Sequence, residues 1–349
     1  MNIINDTLIN WYEQCRRDLP WRHNPSPYQV WLSEVILQQT RVSQGMDYYL
    51  RFIERWPTVE ALAQATEEDV LKMWQGLGYY SRARNLHHCA QQVVEQYGGK
   101  FPADYEQLKK LKGIGDYTAA AIASIAFNLP HAVVDGNVYR VIARLYDIDT
   151  PININEGQTL FASLADELLD RNRPSLHNQA MMEFGALQCT PKNPACLHCP
   201  LQAHCLAFER QTVGQRPVKL QKTKVKTRYF NYLVMRVGES IYLHKRSDND
   251  IWKNLYDFPC IESEMPMTVE AVVETQSFRQ LVDGTDFTIT RTSPMFTHKL
   301  THRTIIAQFI EIKLEQKLLQ IETKEVFLAA ERELENYPIP RLIDLYLNT

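Results

Sequence analysis

Four of the chain's seven cysteines, Cys189, Cys196, Cys199 and Cys205, fall within seventeen residues, in the order C-x6-C-x2-C-x5-C. No other feature restricts the fold as much, because a loop that gathers four thiols needs something the thiols share. Single free cysteines serve as small buried apolar residues, but four this close are too many for that role. Disulfides belong to oxidising compartments. The stretch MNIINDTLINWYEQC shows no basic region followed by an apolar one, so no export signal is read there. That leaves metal. His198 and His204 lie among the thiols and admit zinc. Four thiolates in one short loop also suit a 4Fe–4S cluster. Spacing alone leaves both open.

With 349 residues, 45% hydrophobic and 23% charged, the chain has room for two or three domains with proper cores. Before residue 207 the pattern is helical. Val30, Leu32, Val35 and Ile36 recur at helical spacing, SRARNLHHCAQQVVEQYGG ends on a glycine pair, and YTAAAIASIAF and GNVYRVIARLY continue the series. The longest uncharged run contains Asn128, Pro130 and His131, and reads as a buried helix and loop, not a membrane span. A monomer is expected, cytoplasmic in a bacterium and nuclear if the source is a eukaryote. After about residue 229, YFNYLVMRV, SIYLHKR and THRTIIAQFIEIKL read as strands, and RLIDLYL as a short closing helix. The net charge of −3 decides nothing about nucleic acid; its distribution says more. Residues 207–228 hold seven Lys or Arg against one Glu. They read as a solvated linker (208–228) or as a strap along a phosphate backbone.

Three further stretches carry chemistry. In LKGIGDYTAAAI, Gly113 and Gly115 allow a tight turn that exposes N–H groups at a helix start, a geometry that holds a phosphate without reading sequence. An ordinary helix–helix turn has the same letters. Asp135, in VVDGNVYRV, follows two valines and precedes a helix, as an N-terminal cap would, and Asn137 is a second candidate cap. Glu34, in WLSEVILQQT, is set among Trp31, Leu32, Val35 and Ile36. It reads either as an exposed helical Glu or as a partly buried carboxyl with a raised pKa.

Together these segments resemble the endonuclease III, or helix-hairpin-helix, superfamily of DNA glycosylases, and within it the MutY-type adenine DNA glycosylases. The resemblance implies an all-α half: a six-helix barrel over 21–129, and an iron–sulfur domain made of 1–20 and 130–207. In it Cys189, Cys196, Cys199 and Cys205 hold a structural 4Fe–4S cluster, and Lys192 is a loop cation facing DNA. It implies that Gly113, Gly115 and Lys112, where the superfamily usually has Pro, bind a DNA phosphate. Tyr117 stands where bifunctional members carry the Schiff-base Lys, so the implied chemistry is hydrolysis without a lyase step. Glu34 would protonate the leaving adenine, Asp135 would stabilise the sugar cation, and Tyr117 and Asn137 would support the sugar and its attacking water. Gln39 and Tyr79 match positions that wedge into the base stack, though Tyr79 and Tyr80 also read as core aromatics. Trp21, Arg22 and Glu183 resemble residues that contact adenine.

The segment from Tyr229 to Glu262 resembles the opening of a Nudix, MutT-like α+β domain, which would occupy 229–349. The metal box R-E-x-x-E-E is missing from ESEMPMTVEAVVETQSFRQ, so the domain is expected to recognise and not to hydrolyse. Phe296, Thr297 and His298 match a Phe-Ser-His loop that senses 8-oxoguanine. The expected partner is duplex DNA with adenine opposite 8-oxoguanine or guanine, with no membrane involved. Three other functions stay in view: a bifunctional glycosylase/lyase for oxidised pyrimidines, a nucleotide-pool pyrophosphohydrolase, and a non-enzymatic iron–sulfur DNA-binding protein.

Overall fold

A computed structural model describes residues 3–23, 25–220, 226–246, 251–282, 284–300, 303–318 and 325–349. The helices follow in the order α1 (Ile3–Cys15), α2 (Pro27–Leu37), α3 (Val42–Arg55), α4 (Val59–Gln64), α5 (Glu67–Trp74), α6 (Ser81–Tyr97), α7 (Tyr105–Lys110), α8 (Asp116–Ala121), α9 (Gly136–Leu145), α10 (Asn155–Leu168), α11 (Pro174–Leu187) and α12 (Leu206–Glu209). Eight strands then alternate with three short helices. β1 (Lys226–Val237), β2 (Ser240–Lys245), β3 (Tyr256–Asp257) and β4 (Cys260–Ser263) precede α13 (Val269–Val273) and α14 (Gln276–Val282). β5 (Phe287–Thr292), β6 (Phe296–Lys299), β7 (Arg303–Leu314) and β8 (Val326–Ala330) precede α15 (Arg341–Leu347). Among the described residues no helix is long and apolar enough to cross a membrane.

The chain divides into two compact units, Met1–Gln64 with Asn85–Gln221, and Ala65–Arg84 with Lys222–Thr349. The first is all-α. One of its cores joins α1, α9, α10 and α11 through Leu8, Ile9, Tyr12, Val138, Ile142, Phe161, Ala180 and Phe184. In α2 the start is set by Ser26, whose hydroxyl accepts from the Gln29 N–H while the Gln29 side chain accepts from the Ser26 N–H, with Pro27 at the first position. Every residue of α2 from Val30 to Ile36 is buried. A helix apolar on all sides belongs inside a core, and Glu34 is carried in with it.

The helix expected over YTAAAIASIAF changes winding partway: α8 gives way to a π-helical turn at Ile122–Ala126. Single π turns gather at functional sites. The expected linker is largely structured. Arg210 and Arg216 both pair with Asp147, the Ile152 N–H donates to the Val218 carbonyl, and the Leu220 N–H donates to Asn153. Residues 207–220 are thus fastened to the helical unit, and 226–228 already belong to β1. Lys222 and Lys224 of the basic run lie outside the described residues.

In the second unit β1 and β7 run parallel at the centre of a mixed sheet, in the order β3-β2-β1-β7-β5. β4 pairs with β1, β6 with β7, and β8 with β2, all antiparallel. Leu233, Met235, Ile310 and Ile312 pack on Val272 and Phe278 of α13 and α14. Alternation along the strands turns Tyr232 and Phe309 the other way, where Phe309 stacks on Tyr346 of α15 at 3.9 Å. Residues 65–84, expected in the helical barrel, pack with this unit. Asn254 donates to Glu67 (2.5 Å), Tyr256 to Glu68 (3.0 Å), and Arg84 to the Lys253 carbonyl (3.0 Å).

Candidate active site

Three elements of the helical unit, α2, α8 and α9, carry Glu34, Tyr117, and Asp135 with Asn137. Glu34 projects from α2 at 9% exposure and accepts a short hydrogen bond from the Tyr117 hydroxyl. Tyr117 sits in the first turn of α8, and its hydroxyl also lies 4.0 Å from the Met182 sulfur of α11. Burial pushes the Glu34 carboxyl up to about 7, and the nearby Asp135 charge adds to the rise against the pull of the Tyr117 bond and Arg22. At neutral pH a large share of Glu34 therefore holds a proton.

Asp135 is both the helix cap and part of this constellation, so the two readings of that residue are compatible. As N-cap of α9 its Oδ1 accepts from the backbone N–H groups of Asn137 (2.9 Å) and Val138 (2.7 Å), and its Oδ2 accepts from Asn137 Nδ2 (2.7 Å). Burial raises its pKa, while these three donors and Arg140 work to keep it ionised. Of the two carboxylates Glu34 has the poorer solvation of its charge, so a proton entering the pair settles there.

Asn137 is itself held. Arg140 Nη2 donates to Asn137 Oδ1 (2.9 Å) and to the Gly185 carbonyl (2.5 Å), and Arg140 Nε donates to the Cys189 carbonyl (2.7 Å). A Cβ at Gly185 would stand 2.6 Å from the Asn137 Cβ, so α11 approaches α9 as only glycine permits. A bonded chain thus runs from Asp135 through Asn137 and Arg140 to the first cysteine of the loop.

Beside Glu34 is a cleft of about 40 Å³ lined by Trp21, Arg22, Val30, Ser33, Ile125, Gln179 and Met182. That is room for about one water, and a purine enters only if flexible side chains such as Met182 and Gln179 swing aside. Trp21 and Arg22 stand where the sequence places them. Glu183 does not line the cleft. Its Oε1 accepts from the Arg17 backbone N–H (2.9 Å), Arg17 Nε (2.9 Å) and Arg22 Nη1 (3.0 Å), and its Oε2 from Arg17 Nη2 (2.6 Å) and Arg22 Nη2 (2.8 Å). Burial opposes the charge, but the two guanidiniums overcome it and hold the carboxyl near 2. Glu183 therefore aims Arg22 at the cleft, a positioning role, with Arg17 as a partner the sequence reading did not single out.

At the hairpin, Gly113 is left-handed (φ 79°), and a Cβ there would meet Asn85 at 2.7 Å. Gly115 is different: its backbone is extended, and the space where a Cβ would sit is open. Its glycine is required by neither turn nor neighbour, and it is exposed. Lys112 is exposed beside it, its N–H donating to Gln92 (2.7 Å). Gln39 is exposed and left-handed (φ 58°) just past α2.

In the cysteine loop all four thiols are free and partly buried. Burial, with Cys189, Cys205 and Cys196 adding like charge, pushes the Cys199 thiol up to about 11. Cys196 and Cys205 are raised for the same reasons. Partly buried thiols on one loop, raised by burial and by one another's charge, fit a strongly cationic shared group, which would take them as thiolates. The buried Arg144 donates to Cys189 Sγ (3.4 Å) and to the carbonyls of Thr190 (2.7 Å) and Pro191 (3.3 Å), further stabilising that negative loop. Among the described residues no three His, Cys, Asp or Glu side chains are gathered for a single metal ion. Four thiols on one loop supply one thiolate for each iron of a 4Fe–4S cluster. Lys192 is exposed on the loop.

In the second unit, Phe296, Thr297 and His298 form edge strand β6 and not a loop, paired with Ile305–Ala307 of β7. Phe296 packs on Phe309 and Tyr346, and His298 lies 6.0 Å from Trp252, while Thr297 is exposed. Tyr79 also lies in this unit and is 53% exposed, whereas Tyr80 is 3% exposed. Only the second is a core aromatic.

Three segments of the chain match known protein families. Residues 32–161 match the HhH-GPD superfamily of base excision DNA repair proteins, 189–205 the iron–sulfur binding domain of endonuclease III, and 231–349 a NUDIX domain. The adenine DNA glycosylase of Mus musculus is 47% identical over 222 residues, 61% of this chain and 43% of that protein. That of Buchnera aphidicola (subsp. Baizongia pistaciae) is 37% identical over 260 residues, 74% of this chain and 73% of that one. The chain thus spans less than half of the mouse relative and about three quarters of the bacterial one. A solved thermostable thymine-DNA glycosylase is 29% identical, with a TM-score of 0.55 over 60% of this chain and 96% of its own. By sequence, fold and site together, the chain belongs to the adenine DNA glycosylase family.

Proposed function

We propose that this chain removes adenine lying opposite 8-oxoguanine or guanine in duplex DNA, by hydrolysis of the N-glycosidic bond without a lyase step. The observation that carries this reading is a buried Glu34, its carboxyl raised by burial to about 7, in the same site as an Asp135 that accepts from three N–H donors. Glu34 gives its proton to N7 of the extruded adenine as the bond breaks, a contribution of about 10²–10⁴-fold. Asp135 faces the positive sugar left behind, and Asn137 keeps its carboxylate aimed. The Tyr117 phenol cannot form a Schiff base; its hydroxyl donates to Glu34 and so orients the carboxyl. Gln39 and Tyr79 fill the gap left by the flipped base, and Phe296, Thr297 and His298 test the base opposite. The hairpin at Gly113–Gly115 and Lys112 takes a phosphate. A bound 4Fe–4S cluster supplies structural fixation, and the four cysteines with Arg144 would hold it.

The test uses duplexes carrying each of the four bases opposite 8-oxoguanine and opposite guanine, treated with alkali after incubation. Strand breakage at adenine alone, with no adduct trapped by borohydride, is the expected result. Breakage opposite other bases, or a trapped adduct in high yield, refutes the assignment.

A further inference from the structure

The loop between α5 and α6 is built in a way that the chemistry of Glu34 and Asp135 does not explain. Three of its residues are left-handed: Gly76 (φ 99°), Gly78 (φ 70°) and Tyr79 (φ 49°). The glycines adopt that conformation freely, but Tyr79 carries a Cβ and adopts it at a cost. More than half of Tyr79 faces solvent, so burial does not compensate. Strain that persists in an exposed aromatic has to be imposed by its surroundings, and such strain gathers at functional positions.

Arg82 imposes it. One turn along, its Nη2 donates to the carbonyls of both Leu77 and Gly78 (3.3 Å each). Its guanidinium lies over the Tyr79 ring at 5.6 Å and over the Trp74 ring at 5.0 Å. Trp74 Nε1 donates to the same Gly78 carbonyl (3.0 Å). The neighbour, Tyr80, points the opposite way and donates its hydroxyl to the Ile339 carbonyl (3.1 Å). Lys72 donates to the Tyr337 carbonyl (3.1 Å), and Gln75 accepts from the Ile339 N–H (3.4 Å). A segment more than two hundred and fifty positions away in the chain is thereby fastened under the loop.

We propose that Arg82 and Tyr80 are positioning residues for Tyr79: they hold its exposed ring ready to enter the base stack and fasten it to the compact unit that carries Phe296, Thr297 and His298. The proposal rests on the wedge reading of Tyr79 given above. A ring already set at the required angle enters the stack without first being ordered, so preorganisation appears as rate.

A double-mutant cycle on single-turnover adenine excision from an 8-oxoguanine:adenine duplex tests it. Arg82→Lys keeps the charge but loses the planar fork and the stacking face. Tyr80→Phe removes one hydroxyl and conserves the ring. Each is expected to slow excision roughly tenfold in the otherwise unchanged protein, and by less than about twofold in a Tyr79→Ala background. A generally weakened fold would slow both backgrounds alike, so coupling to Tyr79 is the readout. Wild-type rates for both variants, or losses that multiply with that of Tyr79→Ala, overturn the proposal. A wild-type rate for Tyr79→Ala itself sinks the wedge reading on which the proposal stands, and is distinguishable because it appears in the single variant alone.

Discussion

Replacing Glu34 with Gln should make the protein more stable while abolishing its chemistry, and the gain should depend on pH in a calculable way. The carboxyl ordinarily titrates near 4.5 and is pushed up to about 7 by burial in α2. The folded state therefore keeps a proton that the unfolded chain has released. A group with a raised folded pKa contributes its stability below the unfolded value, and that contribution is lost as pH rises through the folded one. At about 1.4 kcal/mol for each pH unit between the two, ionised Glu34 costs about 3 kcal/mol above pH 7. Gln has no such cost and still offers an oxygen to the Tyr117 hydroxyl. Urea unfolding of the wild type and Glu34→Gln at pH 5, 6, 7 and 8 should show a difference below about 1 kcal/mol at pH 5, growing to about 3 kcal/mol at pH 8 and then flat. Excision by the wild type should fall about tenfold per pH unit above 7, as Glu34 loses its proton. A stability difference that is the same at all four pH values would refute the argument, because a Glu34 that titrates alike in the folded and unfolded chains predicts parallel curves.

Other perturbations have equally definite outcomes. Glu183→Gln leaves Arg17 and Arg22 short of their buried counter-charge and should destabilise the helical unit by about 3–5 kcal/mol in urea unfolding. Because Glu183 is held near 2, its contribution is full above pH 4.5 and lost as pH falls towards 2, so this variant should flatten the acid limb of the stability profile. Arg140→Met removes the cation that lowers the Asp135 pKa, so the acid limb of the excision profile should move to higher pH. Gly185→Ala sets a methyl 2.6 Å from the Asn137 Cβ; it should cost about 1–3 kcal/mol of stability and slow excision by displacing Asn137. Cys199→Ser should strip the bound iron, measured by metal analysis, and loosen the segment that Arg144 ties to Thr190 and Pro191.

How much of this was legible depends on whether the signal is local. The cysteine loop, the left-handed Gly113 and Asp135 before its helix are short patterns that the structure keeps, whereas Gly115 is extended and needs no glycine for the turn. Glu34 was half legible: its apolar neighbours allowed a buried carboxyl, but an exposed helical Glu fits the same letters, and the packing of α2 decides for burial. Its partner did not follow. Tyr117 stands 83 positions away, and Arg17 meets Glu183 across 166, distances over which periodicity carries no information. The same limit explains residues 65–84. Their helical pattern says that α5 forms, but its allegiance is decided by Asn254, Tyr256 and Tyr337, which no local pattern of α5 names. In β6 the period-2 signal is present, with Phe296 and His298 half-buried and Thr297 exposed. That strand leaves Thr297 as the exposed member of the trio. If one of the three reads the opposite base through solvent-facing contact, it is the hydroxyl of Thr297, with Phe296 and His298 fixing the strand that presents it.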